Sequence, residues 1–226
     1  MEIGGGGRLG GNRNVSQHPL KVFLRNMMGN WTNAQKWESS WWGNCVNTYQ
    51  EETKQLVYAE KMGLRAEMIE GKFPVYTLGG ASILDIGGGP VSILLKCKDS
   101  FGVVVDPCEY PAWVLKRYHE AKIRFFREKG EDFENGVYDE VWIYNVLQHC
   151  ESPQKITKKA REASKIIRIF EWLETEPNEG HPHVLTEGKL NYWLGGEGKV
   201  EEINDRGCVG KCFYGIFKGD NYGNNC

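Results

Sequence analysis

Two aspartates, each at the end of a short apolar run, mark the part of this sequence best suited to bind a nucleoside. Asp85 lies within Ser82–Pro90 (SILDIGGGP), and Asp106 follows the apolar run Val103–Val105. A glycine turn after a buried strand lets a ligand approach the main chain, because no Cβ stands in the way. A carboxylate at the end of the next strand can accept hydrogen bonds from both hydroxyls of a ribose. The alternative is a tight structural turn with two exposed acids.

The elements that must position these acids alternate between strand and helix along the chain. Buried strands are predicted at Ile83–Ile86, Val103–Val105, Ile123–Phe126, Tyr138–Tyr144 and Lys165–Trp172, and helices at Pro90–Lys96, Tyr110–Ala121 and Pro153–Ser164. Such alternation is typical of a parallel α/β sheet with helices on both faces. It predicts that the acids at the strand ends share one edge of the sheet.

The regular alternation of strands and helices ends after residue 180. Thr186–Leu194 predicts a short helix with Thr186 as its N-cap. Lys199–Ile203 and Lys211–Phe217 predict two strands whose connection is too short for a helical crossover, so they pair antiparallel. The predicted fold class is therefore α/β and Rossmann-like: a seven-stranded, mostly parallel sheet with an antiparallel last strand, helices on both faces and an N-terminal helical cap.

The N-terminal third predicts two further regions. Six glycines among the first 11 residues indicate a flexible arm over residues 1–18. Residues 31–70 are rich in helix formers, and Gly63 or Gly71 can end a helix there. We therefore expect a helical cap over 19–75 and the α/β domain over 76–226. Four tryptophans crowd this cap: Trp31, Trp37, Trp41 and Trp42. Core packing is the favoured interpretation, and an aromatic lid over a ligand is the alternative.

Composition narrows the classes of partner. A net charge of −2 predicts no general attraction to nucleic acid, and the basic run Lys155–Arg161 is interpreted as a solvated helix face. No stretch has the length of a membrane span, and no secretory signal is recognised. Seven cysteines without a C-x-x-C pair indicate free thiols in a reducing cytoplasm. Cys208 and Cys212, with His181 and His183 upstream, lack zinc-knuckle spacing, so no metal is expected.

Four segments resemble the motifs of class I S-adenosylmethionine-dependent methyltransferases (type 11/12-like) over roughly residues 80–175. Leu84–Ser92 (LDIGGGPVS) resembles the first motif, with Val91 where a third glycine is frequent. Val103–Pro107, Lys129–Phe133 and Tyr138–His149 resemble the second, third and fourth. The resemblance implies that S-adenosylmethionine is bound, with S-adenosylhomocysteine as product, by Asp85, Gly87, Gly88, Gly89, Asp106, Pro107, Gly130, Glu131, Asp132, Asn145, Val146 and Leu147.

Methyl transfer from an activated donor needs alignment of the acceptor, and a base only where the acceptor must lose a proton. His149 follows the fourth strand and is the candidate base; the alternative is that it orders the loop. Glu171 ends the fifth strand and is a candidate for acceptor binding, with a surface or ion-paired acid as the alternative. Trp41, Trp42 and Tyr49 are the candidate lid residues, because aromatic faces suit a sulfonium cation.

The acceptor is predicted by elimination. Asn145–Gln148 reads NVLQ, which departs from the motif of amino-methylating DNA enzymes, and no second domain for a macromolecular substrate is evident. We expect methylation of an oxygen or nitrogen of a small molecule by a cytoplasmic monomer or homodimer. Two alternatives stay open: an NAD(P)-dependent oxidoreductase, and a non-catalytic nucleoside-binding module that uses residues 31–42 as an interaction surface.

Overall fold

The computed structural model describes residues 19–46, 48–71, 73–134, 136–173 and 176–223 of the 226-residue chain. The arm predicted for residues 1–18 lies outside the described residues. The remaining chain is organised around a single sheet, whose apolar strands account for most of the buried side chains.

The apolar runs of the sequence form one eight-stranded sheet. Its strands are β1 (Ala66–Ile69), β2 (Phe73–Ile86), β3 (Cys97–Val105), β4 (Arg124–Phe126), β5 (Tyr138–Tyr144), β6 (Ser164–Trp172), β7 (Lys199–Asp205) and β8 (Cys208–Lys218). Strands β2 to β6 pair in parallel, and β8 pairs antiparallel with both β6 and β7. All seven predicted strands are present, and the antiparallel last strand is confirmed. An eighth strand, β1, was not predicted.

The order of the strands locates the edge at which ligands bind. The sheet runs β4-β3-β2-β5-β6-β8-β7, with β1 added as a hairpin on β2. From β2 the chain moves outward through β3 and β4, then returns to β5 on the other side of β2. Strand order therefore reverses between β2 and β5, and open α/β sheets bind ligands at the carboxyl ends of the strands beside such a reversal.

Helices cover both faces of the sheet, as predicted. They are α1 (Pro19–Trp42), α2 (Tyr49–Lys61), α3 (Ala112–Glu120), α4 (Pro153–Ala163) and α5 (Glu187–Leu194). Side chains of α2 and α3 pack on one face of the sheet, and those of α4 and α5 on the other. Neighbouring residues of the central strands point to opposite cores, which explains why these strands are apolar throughout. None of the described helices has the length and hydropathy to cross a membrane.

The prediction of an α-helix over Pro90–Lys96 is wrong. Two short 3-10 turns, Gly89–Val91 and Ile93–Lys96, replace it. Ser92 separates them with an extended ψ of 143°, and its hydroxyl accepts a hydrogen bond from the Leu94 amide at 3.0 Å. This side chain competes with the backbone for helical hydrogen bonds, as serine often does. In contrast, Thr186 caps α5 as predicted, accepting from the Lys189 amide at 3.3 Å.

The predicted helical cap is shorter than the sequence indicated. Helices α1 and α2 lie within residues 19–75, but the end of that range is extended: β1 and the first residues of β2 form an antiparallel hairpin. The helical prediction over 66–70 is therefore wrong, and the proposed boundary at 75/76 falls inside β2. All four residues of β1 are exposed, so the alternating burial that reveals a strand in a sequence is lacking there.

Candidate functional site

The glycine turn after β2 is built on backbone conformations that favour glycine. Gly87 has φ +74° and Gly89 has φ +62°, and the Gly87 amide donates to the Val105 carbonyl at 2.7 Å. A Cβ added to Gly87 would lie 2.4 Å from a methyl carbon of Val146. The turn is thus pressed against the loop after β5, and its bare backbone stands at the carboxyl edge of the sheet.

Asp85 lies beneath this turn, fully buried. Its Oδ2 accepts hydrogen bonds from the Ser92 hydroxyl and from the Tyr144 hydroxyl, whereas its Oδ1 has no partner among the described residues. Burial raises the pKa of this carboxyl to about 7, although the bonds from Ser92 and Tyr144 act in the opposite direction. The structure therefore gives Asp85 one engaged oxygen and one buried oxygen still able to accept a hydrogen bond.

Asp106 lies directly after β3 and faces the glycine turn. Its Oδ2 accepts from the Gly89 amide at 3.1 Å, and its Oδ1 accepts from the Cys108 amide at 2.9 Å and the Tyr110 hydroxyl at 3.0 Å. Burial raises its pKa to about 6, so the carboxylate form prevails at neutral pH. Three donors fix this carboxylate at the position where the sequence predicts a ribose. The alternative of two exposed acids is wrong, since Asp85 and Asp106 are both buried.

A narrow cavity of about 60 Å³, called here the inner pocket, opens beside Asp106. Eight of the predicted site residues line it: Glu131 and His149, which are described below, and Gly87, Asp106, Pro107, Gly130, Asn145 and Val146. Glu131 reaches its wall, but its Oε1 accepts from the amides of Glu151 and Ser152, both at 2.8 Å. Gly88 and Gly89 border a second cavity of about 60 Å³, the turn cavity, which Asp106 and Asn145 share.

Asp85, beneath the turn, lines neither of these cavities, and three further residues that were predicted to hold the donor or cover it lie away from the site. Leu147 is fully buried in the hydrophobic core below the loop. Asp132 is exposed and forms an ion pair with Lys155 at 3.1 Å, because it points outward from the turn that follows β4. Tyr49 is 78% exposed at the start of α2, so its ring covers no part of the site. The placement of these three side chains at a bound ligand is not supported.

A wider cavity of about 350 Å³, called here the outer cleft, lies next to the inner pocket. Trp37, Trp41 and Trp42 of α1 line it together with Tyr58 of α2 and Trp172 of β6. Trp37 and Trp41 stack on each other with ring centroids 5.5 Å apart, and Trp41 is 58% exposed. The favoured prediction that these tryptophans pack into the core is therefore wrong for Trp37 and Trp41: they form a wall of the cleft.

His149 lines both the outer cleft and the inner pocket. Its Nδ1 lies 2.9 Å from the Gly180 carbonyl, which can only accept, so Nδ1 carries the proton. Burial lowers the pKa of the imidazole to about 4, which leaves Nε2 unprotonated at neutral pH. The His181 ring packs edge-on against it at 4.5 Å, whereas His183 contacts the Cys150 carbonyl at 2.9 Å.

Glu171, at the end of β6, supports the loop that carries His149. It is fully buried, and its Oε1 accepts from the amides of Val146 at 3.0 Å and Leu147 at 3.1 Å. Burial raises its pKa to about 8. The interpretation of Glu171 as a surface acid is therefore wrong. Since Glu171 lines none of the three cavities described above, its role in acceptor binding is not supported.

One face of α1 contributes Gln35 and Glu38, which the sequence analysis missed, beside tryptophans that it had singled out. Trp31, Gln35, Glu38 and Trp42 recur at the spacing of one helical stripe, and each lines at least one of the three cavities. Trp31 stacks against the Lys129 ammonium, with 3.8 Å between the nitrogen and the ring centroid. The sequence signal for this stripe is Glu38, an acid one helical turn before Trp42.

The histidine and cysteine residues do not converge on a metal site. Within the described ranges no group of three or more metal-ligating side chains is found. Cys208 and Cys212 are both buried on β8, and the six cysteines of the described part are unpaired.

No protein-family model and no curated protein matches this sequence. Among solved structures, magnesium protoporphyrin IX methyltransferase from Synechocystis PCC 6803, with bound S-adenosylhomocysteine, matches with a TM-score of 0.55 at 15% identity, over 88% of this chain and 100% of that one. The 1,6-didemethyltoxoflavin-N1-methyltransferase of Burkholderia thailandensis matches with a TM-score of 0.54 at 12% identity, over 90% and 91%.

A third match, an O-methyltransferase family protein from Burkholderia thailandensis, has a TM-score of 0.48 at 16% identity. It covers 63% of this chain, and this chain spans only 52% of its length. Identities this low establish the fold alone. The chain has the fold of class I S-adenosylmethionine-dependent methyltransferases, as the sequence motifs led us to expect.

Proposed function

We propose that this protein is an S-adenosylmethionine-dependent methyltransferase that acts on an oxygen or nitrogen atom of a small molecule. The observation that carries the proposal is the carboxylate of Asp106, which follows β3 and is held against the glycine turn by the Gly89 amide, the Cys108 amide and the Tyr110 hydroxyl. A fixed carboxylate beside a glycine turn is suited to hold the two hydroxyls of a ribose.

The residues around the turn fit the donor. Asp106 would hold the ribose, and the free Oδ1 of Asp85 provides a buried acceptor beneath the turn for an amino group or a bridging water. The remaining wall of the donor site would come from Gly87, Gly88, Gly89, Pro107, Gly130, Glu131, Asn145 and Val146. When bound, S-adenosylmethionine supplies an electrophilic methyl group on a sulfonium. The chain itself must orient the acceptor and exclude water.

Two structures of the same fold support this assignment of cofactor and acceptor class. The proteins named above act, as their names state, on magnesium protoporphyrin IX and on 1,6-didemethyltoxoflavin, and both were crystallised with S-adenosylhomocysteine. Both acceptors named are small molecules. The antiparallel strands β7 and β8 also weigh against the NAD(P)-dependent alternative, since a second mononucleotide-binding half is not formed by the described strands.

The outer cleft is the proposed acceptor site. Trp41 and Trp42 supply apolar walls there. His149 also lines the cleft, with an unprotonated Nε2 that lies 3.5 Å from Gln148 Nε2. The basic residues of α4 are poorly suited to bind nucleic acid, because Lys155, Lys158 and Arg161 each form an ion pair with an acid at 2.9–3.6 Å. The unpaired cysteines are consistent with the reducing cytoplasm that we propose as the location.

The proposal is tested by methyl transfer. The protein is incubated with S-adenosylmethionine labelled in its methyl group and with separated small-molecule, protein and nucleic-acid fractions of a cell extract. We expect label to enter the small-molecule fraction. Label in nucleic acid or protein instead would contradict the proposed acceptor class. Tight donor binding without transfer to any fraction would favour a non-catalytic nucleoside-binding module.

A further inference from the structure

Glu38 lies where the three cavities meet. It lines the inner pocket, the outer cleft and the turn cavity, and Asn145 is the one other described residue that does so. An amide such as Asn145 has no basic atom, and its Oδ1 already accepts from Gln148 Nε2 at 2.9 Å. At this junction, Glu38 is therefore the described side chain that can take up a proton.

The hydrogen bonds of Glu38 leave one oxygen directed at the junction. Its Oε1 accepts from Trp42 Nε1 at 2.7 Å. Its Oε2 lies 3.5 Å from Nδ1 of His149, but that nitrogen donates to the Gly180 carbonyl at 2.9 Å. Trp42 thus orients the carboxyl group, and Oε2 accepts no hydrogen bond from the rest of the described chain. A proton that arrives from a ligand has a free lone pair to bind.

The groups around Glu38 set its proton affinity. Acidic and neutral groups face it from three elements: Glu51 from α2, Asp106, Cys108 and Tyr110 after β3, and His149 after β5. Two of the cations in the same cavities are already paired, Lys54 with Glu51 and Lys129 with Glu151, both at 2.7 Å. Burial, opposed by the Trp42 bond and reinforced by Glu51, raises the Glu38 pKa to about 7. A base of this strength is half ionised at neutral pH.

This inference rests on the proposed function. We propose that Glu38 is the proton acceptor of the reaction, and that the acceptor is a planar molecule bearing an aromatic hydroxyl or a ring N–H. In the transfer step, the oxygen or nitrogen lone pair forms the new bond to the methyl carbon. The carbon–sulfur bond breaks with its electron pair remaining on sulfur, and the O–H or N–H proton moves to Glu38 Oε2.

Two observations point to an aromatic acceptor. The outer cleft is walled by Trp37, Trp41, Trp42 and Trp172, and aromatic faces stack well on planar rings. An aromatic hydroxyl also ionises near pH 10, as in tyrosine, far more readily than water or an aliphatic alcohol. A carboxylate can share such a proton during the transfer, whereas an aliphatic alcohol would need a stronger base. His149, with its lowered pKa, is the weaker candidate for the same role.

The test compares Glu38→Gln with the wild type. The introduced amide keeps an oxygen that can accept from Trp42 but cannot take up a proton. The control is Glu197→Gln, because Glu197 is exposed and lines none of the three cavities. Infrared difference spectra of the S-adenosylhomocysteine complex, recorded against pH, are expected to show a carboxylic-acid band that titrates near pH 7 in the wild type and in the control. Because Asp85, whose pKa is also about 7, contributes to the same band, we expect Glu38→Gln to lose only the part of the band that belongs to one carboxyl group. A band of unchanged intensity in Glu38→Gln would contradict the titration of Glu38.

The kinetic arm uses 2-naphthol as the probe acceptor and cyclohexanol as its aliphatic counterpart. Label transfer to 2-naphthol is expected to rise with pH and level off above about pH 7, and to fall roughly 10²- to 10⁴-fold in Glu38→Gln. His149→Gln should keep the inflection near pH 7. Transfer that is equally fast in Glu38→Gln would overturn the role of Glu38. Transfer to cyclohexanol but not to 2-naphthol would overturn the acceptor class. Failure of the wild type to bind S-adenosylhomocysteine would instead contradict the proposed function itself.

Discussion

Three buried carboxyl groups surround the glycine turn, and each is stabilised by different donors. Asp85 receives two side-chain hydroxyls, Asp106 receives two amides and a hydroxyl, and Glu171 receives two amides. Burial raises the pKa of all three. Buried acids whose pKa is raised cluster at functional sites, and here they hold the turn and the loop that form its walls.

Glu171 makes the stability of the fold depend on pH. With a folded pKa of about 8, it stays protonated between about pH 4.5 and pH 8, where the unfolded chain has already lost that proton. The folded state therefore binds more protons, and its stability falls as pH rises, by at most about 1.4 kcal/mol per pH unit. Glu171→Gln keeps the acceptor oxygen for the two amides but cannot titrate.

We predict that the free energy of unfolding of Glu171→Gln, measured relative to that of the wild type, increases by about 1 kcal/mol or more from pH 6 to pH 8. Urea denaturation at a series of pH values measures this difference, with Glu197→Gln as the control that should parallel the wild type. A constant difference between Glu171→Gln and wild type across this range would show that Glu171 is already ionised in the folded protein.

The placement of site residues was predicted correctly where the residue lies at the end of a strand. Asp85 and Asp106 end buried strands, so their placement at the sheet edge followed from the strands themselves. Asp132 and Tyr49 were misplaced because a turn and a helix start leave the direction of a side chain undetermined by local pattern. Glu38 was missed because its partners, Trp42 at one helical turn and His149 over 100 residues away, come together only in the folded chain.

At the level of elements, the glycine turn and the loop after β5 depend on each other. Gly87 and Gly79 both have positive φ, at +74° and +62°. A Cβ at Gly87 would meet Val146 at 2.4 Å, whereas a Cβ at Gly79 would have nothing within 4 Å. The two sites therefore share the cost of the left-handed backbone, about 1–2 kcal/mol for alanine, and differ in the steric clash.

We predict that Gly87→Ala loses about 1–3 kcal/mol more free energy of unfolding than Gly79→Ala, because the clash displaces the Val146 loop. Gly87→Ala should also weaken S-adenosylhomocysteine binding, since that loop carries Asn145. Denaturant titration and calorimetry measure the two effects. Equal losses of free energy of unfolding in the two variants would mean that the Val146 loop accommodates the added methyl group without loss of stability.

Elements were predictable from the sequence where burial was periodic. Strands β2 to β6 and β8 have apolar runs that pack on two cores, and these runs indicated them. Strand β7 is mostly exposed and contributes only Val200 and Ile203 to the cores. Strand β1 is exposed throughout, so no apolar period marked it. The two 3-10 turns were mistaken for a helix because the pattern of Pro90–Lys96 is helical, while the side chain of Ser92, bonded to Leu94 and Asp85, divides it.

At the scale of the whole molecule, α1 closes the site. The inner pocket, at about 60 Å³, is smaller than the 300 Å³ or more usual for ligand pockets, and Trp31, Gln35 and Glu38 of α1 form part of its wall. Contacts that tie α1 to the sheet include the Lys129–Trp31 pair and a 3.5 Å approach of Cys108 Sγ to Gln35. A nucleoside therefore needs α1 to move aside before it can be enclosed.

Hydrogen exchange should reveal this movement. We predict that amides of residues 31–42 exchange faster than those of α4 in the free protein, because α1 is held mainly by side chains at the cavity. Saturating S-adenosylhomocysteine should slow exchange in residues 31–42 and leave α4 unchanged. Exchange in α1 that is as slow as in α4 and unaffected by S-adenosylhomocysteine would show that the helix is a fixed wall.

The sequence could not anticipate this arrangement, because the packing of a helix against a distant sheet edge is a tertiary property. Its periodicity indicated helices in residues 31–70, and its tryptophans suggested burial. Which stripe of α1 faces the sheet depends on the complementary surface, formed by Gly89, Asp106 and His149 from three different parts of the chain.

The central claim, a nucleoside-type donor site anchored by Asp106, is tested most directly by isothermal titration calorimetry with S-adenosylhomocysteine. The wild type should bind it and should not bind NAD. Asp106→Ala should weaken binding by about 1–3 kcal/mol, the scale of a lost charge-assisted pair, while Asp132→Ala, at an exposed site outside the pocket, should match the wild type. Unchanged affinity in a folded Asp106→Ala variant, or binding of NAD alone, would contradict the account.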